Sequence, residues 1–332
     1  MEACFSKSFD QFPIIKSAKP SRIDTNIPSI DLFLPEAKTL LVKACEEFGF
    51  FKVINHGVPM EFARKLECEA KKFFSATLYE KEKVGPPNPS GYGNMNVGRN
   101  GDICWVEYLL MVTCKPDQFI FERIPETFGA SCDHFCSAMR DYVSAVRKLT
   151  CEVLELLAEG LELKPKDYFS NLIVGEDKEH IFRINHNPPC PQVQNLDGLG
   201  LVGFGEHTDP QIISTLRSND VEGYQIRLQN GTWLSVPPDE TSLFFNVGDC
   251  LQVMTNGRFK SVKHRVLANS MKSRISMIYF GGPRQSEIIS PLQSIMKDGE
   301  ESLYEQFTWA EYRKFTSKSR LSDTRLKPFE KK

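Results

Sequence analysis

Apolar residues in the first half of the chain recur at helical spacing. Leu40, Leu41, Ala44 and Phe48 form one stripe between Ala37 and Phe48, and Gly49 ends it. Phe62, Leu66, Ala70, Phe73 and Phe74 mark one side of a second predicted helix, Met60 to Ser75. The strongest stripe runs from Cys132 to Leu161 through Met139, Val143, Val146, Leu149, Val153, Leu156 and Leu157. Between the first two, Phe50 to Ile54 is a short unbroken apolar run that predicts a buried strand, stopped by Asn55-His56-Gly57. The Gly-, Pro- and Asn-rich stretch Gly85 to Gly101 predicts a loop.

Near His180 the pattern changes to short runs separated by turn signals. Ile181 to Asn185 predicts a strand, which Pro188-Pro189-Cys190-Pro191 breaks. Further strands are expected at Gln211–Leu216, Tyr224–Leu228, Trp233–Val236, Leu243–Asn246, Leu251–Met254, Val262–Leu267 and Ile275–Phe280. Asn230-Gly231 and Asn256-Gly257 supply explicit turns. After Gly281-Gly282-Pro283 the chain turns polar and helical, with Trp309, Tyr312 and Phe315 as anchors. The expected fold class is mainly β with flanking helices, a double-stranded β-helix (jelly-roll) core behind a helical N-terminal region. Residues 1–175, 176–285 and 286–332 are the expected N-terminal region, core and C-terminal helical extension. Gly198-x-Gly200 and Gly203-x-Gly205 are read as loop with no helix after them, which excludes a dinucleotide cradle.

Composition changes this picture little. Of 332 residues 41% are hydrophobic and 25% charged, enough for a sizeable core. A formal net charge of −2 gives no pull on nucleic acid. Met1 to Pro20 lacks the apolar run of a signal peptide, and no stretch reaches the roughly 18 apolar residues of a membrane span. No nucleic-acid or membrane partner is therefore expected. Ten cysteines are scattered without a Cys-x-x-Cys pair, so reduced thiols are expected, with Cys132 and Cys136 as neighbours on a helix face. Asn230-Gly231-Thr232 fits a glycosylation sequon but reads better as a hairpin turn.

The candidate chemistry sits in two segments. His207-Thr208-Asp209 is answered far downstream by His264. Two imidazoles and one carboxylate are the facial triad that holds non-haem Fe(II) and leaves coordination positions open. On a strand, His207 and Asp209 share a face, as do Val262, His264 and Val266. A histidine between two core valines is odd unless paired or metallated; a plain hydrogen bond to Asp209 is the alternative. Arg274-Ile275-Ser276 lies in an apolar strand, where a buried cation is costly without an anion. A guanidinium fork beside a hydroxyl suits a carboxylate, the alternative being a surface charge beside a polar residue.

These segments carry a resemblance. Asn185-x-x-Pro188-Pro189-Cys190-Pro191, Gly205-Glu206-His207-Thr208-Asp209, Asn246-Val247-Gly248-Asp249, Asn256 to Val266 and Arg274-Ile275-Ser276 resemble the plant 2-oxoglutarate- and iron-dependent dioxygenases. Cys45 to Phe51 and Ile54 to Pro59 extend the likeness over nearly the whole chain. Gly203 to Ser214 and Gly101 to Leu110 look like gibberellin 2-oxidases acting on nineteen-carbon gibberellins.

The resemblance implies Fe(II) on His207, Asp209 and His264, with 2-oxoglutarate on Arg274 and Ser276, beside Asn185. It implies O2 as oxidant, ascorbate as activator, and 2β-hydroxylation that inactivates the hormone. The catalytic set is then His207, Asp209, His264 and Arg274. One position departs from the pattern: Asn187 stands where relatives carry a tyrosine that reaches 2-oxoglutarate, so weaker co-substrate binding is expected.

A gibberellin is a rigid apolar ring system with one carboxylate, so its pocket should be apolar with one cation. Arg99 is the candidate cation, Trp105 and Tyr108 are candidate walls, and Tyr312 is a further candidate contact. For each, plain packing or solvation is the alternative. The rival functions are a gibberellin 3-oxidase, a flavonoid or alkaloid hydroxylase, and a non-catalytic metal-binding jelly roll. A cytoplasmic location is expected, with the nucleus as a second compartment, and the oligomeric state is left open.

Overall fold

The computed structural model describes residues 8–16, 27–88, 90–97, 101–113, 132–175, 177–196 and 198–331. Thirteen strands build two facing sheets. They are β1 (Ile14–Lys16), β2 (Ser29–Asp31), β3 (Phe50–Ile54), β4 (Gly91–Val97), β5 (Asp102–Val112), β6 (Glu179–Asn187) and β7 (Leu199–His207). The chain continues through β8 (Ile213–Ser218), β9 (Tyr224–Arg227), β10 (Trp233–Ser235), β11 (Leu243–Val247), β12 (His264–Leu267) and β13 (Arg274–Gly282). The larger sheet has the order β2-β3-β11-β8-β13-β6-β5-β4 and the smaller β1-β7-β12-β9-β10. Apart from the parallel pair β2–β3, the pairings within them are antiparallel. This is the jelly roll that the short strands and turn signals predict.

Helices α1 (Ala37–Glu47), α2 (Met60–Phe74) and α3 (Cys132–Gly160) cover the outer face of the larger sheet. The period-2 alternation of its strands separates two cores. Phe51, Phe245, Ile275, Met277 and Tyr279 face the helices, while Phe50, Phe244 and Ile278 face the smaller sheet. Phe50 stacks on Phe244 and Phe51 on Phe245, at centroid distances of 5.8 and 5.2 Å. Full burial of a ring of this kind contributes about 3 kcal/mol.

Four expectations are corrected. Gly85–Gly101 is not all loop: Gly91–Val97 is β4, paired to β5 with a register shift in which Met95, whose φ is +59°, stands opposite the longer β5 stretch Cys104–Val106. The glycines of Leu199–His207 lie in a strand, since β7 needs small residues where Leu267, Asn187 and Leu321 press on it. Leu251–Met254 belongs to a short helix, α4 (Asp249–Met254), rather than a strand. Leu40 points outward, and Val42 takes a buried place in α1 instead. After β13 the chain forms α5 (Trp309–Thr316), held by a Thr308–Glu311 capping box.

His180 on β6 gives the fold a measurable pH response. It is buried, with Nδ1 2.7 Å from the Tyr279 hydroxyl and Nε2 3.3 Å from the Gly175 carbonyl. Burial, aided by Arg147 and Lys178, pushes its pKa down from 6.5 to about 4. Between these values the unfolded chain binds the extra proton, so stability is complete above pH 6.5 and falls toward pH 4. We expect urea unfolding to show a loss of up to about 3 kcal/mol over that window, and a flatter profile for His180→Gln. Parallel profiles for the two proteins would assign the response elsewhere.

Candidate active site

Strand register brings the three triad residues together. Antiparallel pairing of β12 on β7 sets His264 directly opposite His207, with ring centroids 4.2 Å apart. Both Nε2 atoms lie 3.7 Å from Asp209 Oδ1. Among the described residues this is the one group of three or more His, Cys, Asp or Glu arranged to hold a metal, its donor atoms within 4.8 Å of one another. β7 ends at His207, so the chain turns at Thr208 and Asp209 reaches back toward the imidazoles.

The donors are oriented from behind. The His207 Nδ1–H donates to the Gly205 carbonyl at 2.8 Å and the His264 Nδ1–H to the Val262 carbonyl at 3.1 Å. Each Nδ1 is thereby anchored and each Nε2 faces the shared point. Asp209 Oδ2 accepts from the Ser214 hydroxyl and from Asn246 Nδ2 at 3.2 Å. Burial works against an ionised Asp209, but His264, His207 and these hydrogen bonds outweigh it, so its pKa is lowered. Burial, then repulsion from His264, holds the His207 pKa well below its usual value and keeps that ring neutral.

The Asn246-Val247-Gly248-Asp249 motif explains itself here. Gly248 lies so close to Gln211 that a Cβ would stand 1.9 Å from its carbonyl oxygen. That approach lets the Asp249 N–H donate to the Asp209 carbonyl at 2.7 Å. The Asp249 side chain in turn accepts from Thr208, Ser261 and Tyr312, at 3.1, 2.6 and 2.7 Å. One buried acid thus ties the segment after His207, the segment before His264 and the C-terminal helix together.

Beside the triad, Arg274 and Ser276 line an inner cavity of about 260 Å³, with Asn185, Phe204, Tyr224 and Ile278. Arg274 is 1% exposed, and its Nε and Nη1 have no hydrogen-bond partner. Burial lowers its pKa to about 10, which still leaves it charged at neutral pH. An orphaned cation deep in a cavity, beside two imidazoles and a carboxylate, fits a dicarboxylate co-substrate on a ferrous centre. Tyr224, which the sequence did not single out, stands near both Arg274 and Asp209, with its hydroxyl donating to Asn246 Oδ1 at 2.8 Å.

Several predicted contacts lie elsewhere. Trp105 and Tyr108 are an odd number of residues apart on β5 and face opposite ways. The Trp105 indole N–H donates to the Pro188 carbonyl at 2.9 Å and its ring packs on Phe12. Tyr312 is fully buried with its hydroxyl on Asp249. Tyr108 lines an outer chamber of about 690 Å³ and donates to the Asn96 carbonyl at 3.2 Å. Arg99 lies outside the described residues. Asn187 pairs in register with Arg274, but its Nδ2 donates to the Trp105 and Gly203 carbonyls at 2.8 and 3.0 Å, clamping β6 to β5 and β7.

Two features lacked a strong sequence signal. The C-terminal segment closes the cavity with Thr316, Ser317, Ser319, Leu321 and Arg325. It is pinned by the Leu321 N–H to Asp102 at 3.0 Å and by Arg325 Nη1 to the Thr208 carbonyl at 3.1 Å. Arg183 also lines the cavity, and alternation from Asn185 would have pointed to it.

A double-stranded β-helix with two histidines and a carboxylate at a cavity mouth defines the mononuclear non-haem iron oxygenases. Residues 178–283 match the model of the 2OG-Fe(II) oxygenase superfamily, and residues 27–126 that of the non-haem dioxygenase in morphine synthesis N-terminal. The chain is 54% identical to gibberellin 2-beta-dioxygenase 1 of Pisum sativum, over 97% of this chain and 96% of that relative. It is 55% identical to the gibberellin 2-beta-dioxygenase of Phaseolus coccineus, over 98% and 97%. Among solved structures, JOX2 in complex with 2OG, Fe and JA superposes with a TM-score of 0.82 at 28% identity, covering 100% of this chain and 96% of that one. The rice dioxygenase for auxin oxidation gives 0.75 at 22% identity, over 92% and 100%, a likeness of fold. The chain belongs to the gibberellin 2-beta-dioxygenase family of 2OG-Fe(II) oxygenases, which work with ferrous iron, 2-oxoglutarate and dioxygen.

Proposed function

We propose that this protein hydroxylates gibberellins at the 2β position and so inactivates the hormone. The observation that carries the chemistry is the orphaned Arg274 guanidinium beside the His207–Asp209–His264 cluster. The substrate follows from the relatives, which are gibberellin 2-beta-dioxygenases along nearly their whole length.

In this reading His207, Asp209 and His264 would hold Fe(II), and Arg274 and Ser276 would take the far carboxylate of 2-oxoglutarate. Ferrous iron with 2-oxoglutarate and dioxygen supplies the oxidising power for C–H hydroxylation, with succinate and carbon dioxide as co-products. The protein's part is placement and dryness. Ser214 and Asn246 keep Asp209 turned to the metal, and Asn185 faces the co-substrate from β6. Phe204, Leu216, Val266 and Ile278 give the substrate apolar walls, and the C-terminal segment excludes water.

Incubation with a panel of gibberellins, Fe(II), 2-oxoglutarate and ascorbate should give products heavier by one oxygen atom, with succinate released in equal amount. Succinate release without an oxygenated gibberellin would overturn the substrate reading and leave the oxygenase class intact.

A further inference from the structure

A second cation lines this cavity, half-buried and only partly hydrogen-bonded. Arg183 lies on β6, two residues before Asn185, and so projects from the same face of the strand. It lines both the inner cavity and the outer chamber, at the point where Leu110, Ile181 and Ser317 also border the two. Its Nε donates to Asn185 Oδ1 at 2.6 Å, which fixes one edge of the fork. Its Nη2 is buried and has no hydrogen-bond partner. The guanidinium plane is held over the Tyr108 ring, 3.7 Å from its centroid, and 4.9 Å from that of Phe204. Its acidic neighbour in the field is Asp209, a carboxylate turned to the metal point.

We infer that Arg183 is the cation that receives the carboxylate of an apolar monocarboxylic substrate, an inference that rests on the gibberellin reading above. A half-buried guanidinium with one buried nitrogen left unpaired suits a site that an anion completes. Arg274 is set aside by its place beside Ser276 for the co-substrate; Arg325 also has an unpartnered Nε, but another of its nitrogens is on the Thr208 carbonyl and it faces the Asp249 carboxylate. Among the described residues Arg183 is tied only to a neutral amide, Asn185, and sits over the aromatic faces of Tyr108 and Phe204 with its Nη2 edge unpaired. An anchor there would present the apolar body of the substrate to Phe204, Val266 and Ile278. Tyr108 then acts by positioning Arg183.

The test compares gibberellin free acids with their methyl esters on the Fe(II)-loaded full chain. The wild type should favour the acid. Arg183→Met should raise KM for the acid by about 10- to 100-fold, affect the ester far less, and so erase the preference. Arg183→Lys should restore part of it, and KM for 2-oxoglutarate should move less than about threefold. A retained acid preference in Arg183→Met, a parallel rise in KM for 2-oxoglutarate, or loss of the preference in Arg99→Ala alone would each overturn the assignment. The anaerobic visible band of 2-oxoglutarate on the Fe(II) protein shows whether Arg183→Met keeps a built site. If the wild type accepts no gibberellin, that reading fails by itself. Perturbation of the same band by apolar monocarboxylic acids and their esters then decides: acid selectivity lost in Arg183→Met supports the anchor, and no selectivity in the wild type refutes it.

Discussion

Replacing Asp209 by alanine should remove ferrous-iron binding and turnover together. Asp209 is the one anionic donor of the cluster and is 3% exposed, with both histidines 3.7 Å from its Oδ1. Partners that merely orient a metal ligand are worth about 10- to 100-fold in affinity or activity. Loss of the ligand itself should exceed that, so turnover is expected to fall by more than about 1000-fold. The fold should survive, because the alanine removes the cost of a buried carboxylate, which offsets the hydrogen bonds lost from Ser214 and Asn246. The decisive measurement is melting temperature with and without Fe(II) under anaerobic conditions. Wild type should show a metal-dependent rise, and Asp209→Ala should show none. A rise of the same size in the variant would remove Asp209 from the ligand set.

Arg274→Met should have opposite effects on affinity and on stability. Arg274 is buried with two unpartnered nitrogens, so the protein without co-substrate bears an uncompensated cation. Methionine fills similar space without charge, and such exchanges are commonly stabilising by about 1–4 kcal/mol. The same change removes the charged hydrogen bonds proposed for the far carboxylate, each worth about 1.5–3 kcal/mol. KM for 2-oxoglutarate should therefore rise by about 100-fold or more, while the apo protein melts at a higher temperature. A variant with normal KM for 2-oxoglutarate would show that the co-substrate is held elsewhere. A lower apo melting temperature would show that the cation is compensated within the fold.

Much of the site was legible because its chemistry is local in sequence. His207 and Asp209 are nearly adjacent, and Arg274 and Ser276 alternate within one apolar strand, so residue type and period 2 suffice to suggest them. The substrate side was harder for a geometric reason. Trp105 and Tyr108 look alike as aromatic neighbours, but once Asp102–Val112 is a strand their parity sends them to opposite faces. That strand was obscured by its partner β4, whose glycines and asparagines resemble a loop and whose pairing to β5 shifts register at Met95. Tyr312 was plausible as a contact because a tyrosine is both apolar and polar. Its hydroxyl meets Asp249, a residue 63 positions away whose burial no local pattern announces.

By itself the sequence determined the donor set, most of the helices and short strands, and which residues alternate together within the strands it marked. These depend on residue chemistry and on a period of two or 3.6, both of which act over a few positions. The tertiary structure decided which faces meet. The register of β12 on β7 sets His264 opposite His207, and Gly248 lets α4 pack against the segment after Asp209. The C-terminal segment reaches Asp102 and Thr208 to close the cavity, and Arg183 is stacked there with one nitrogen unpaired. Such pairings arise from packing between segments far apart in the chain. A one-residue slip would turn every side chain of a strand to the other face, so core burial selects the register that assembles the site.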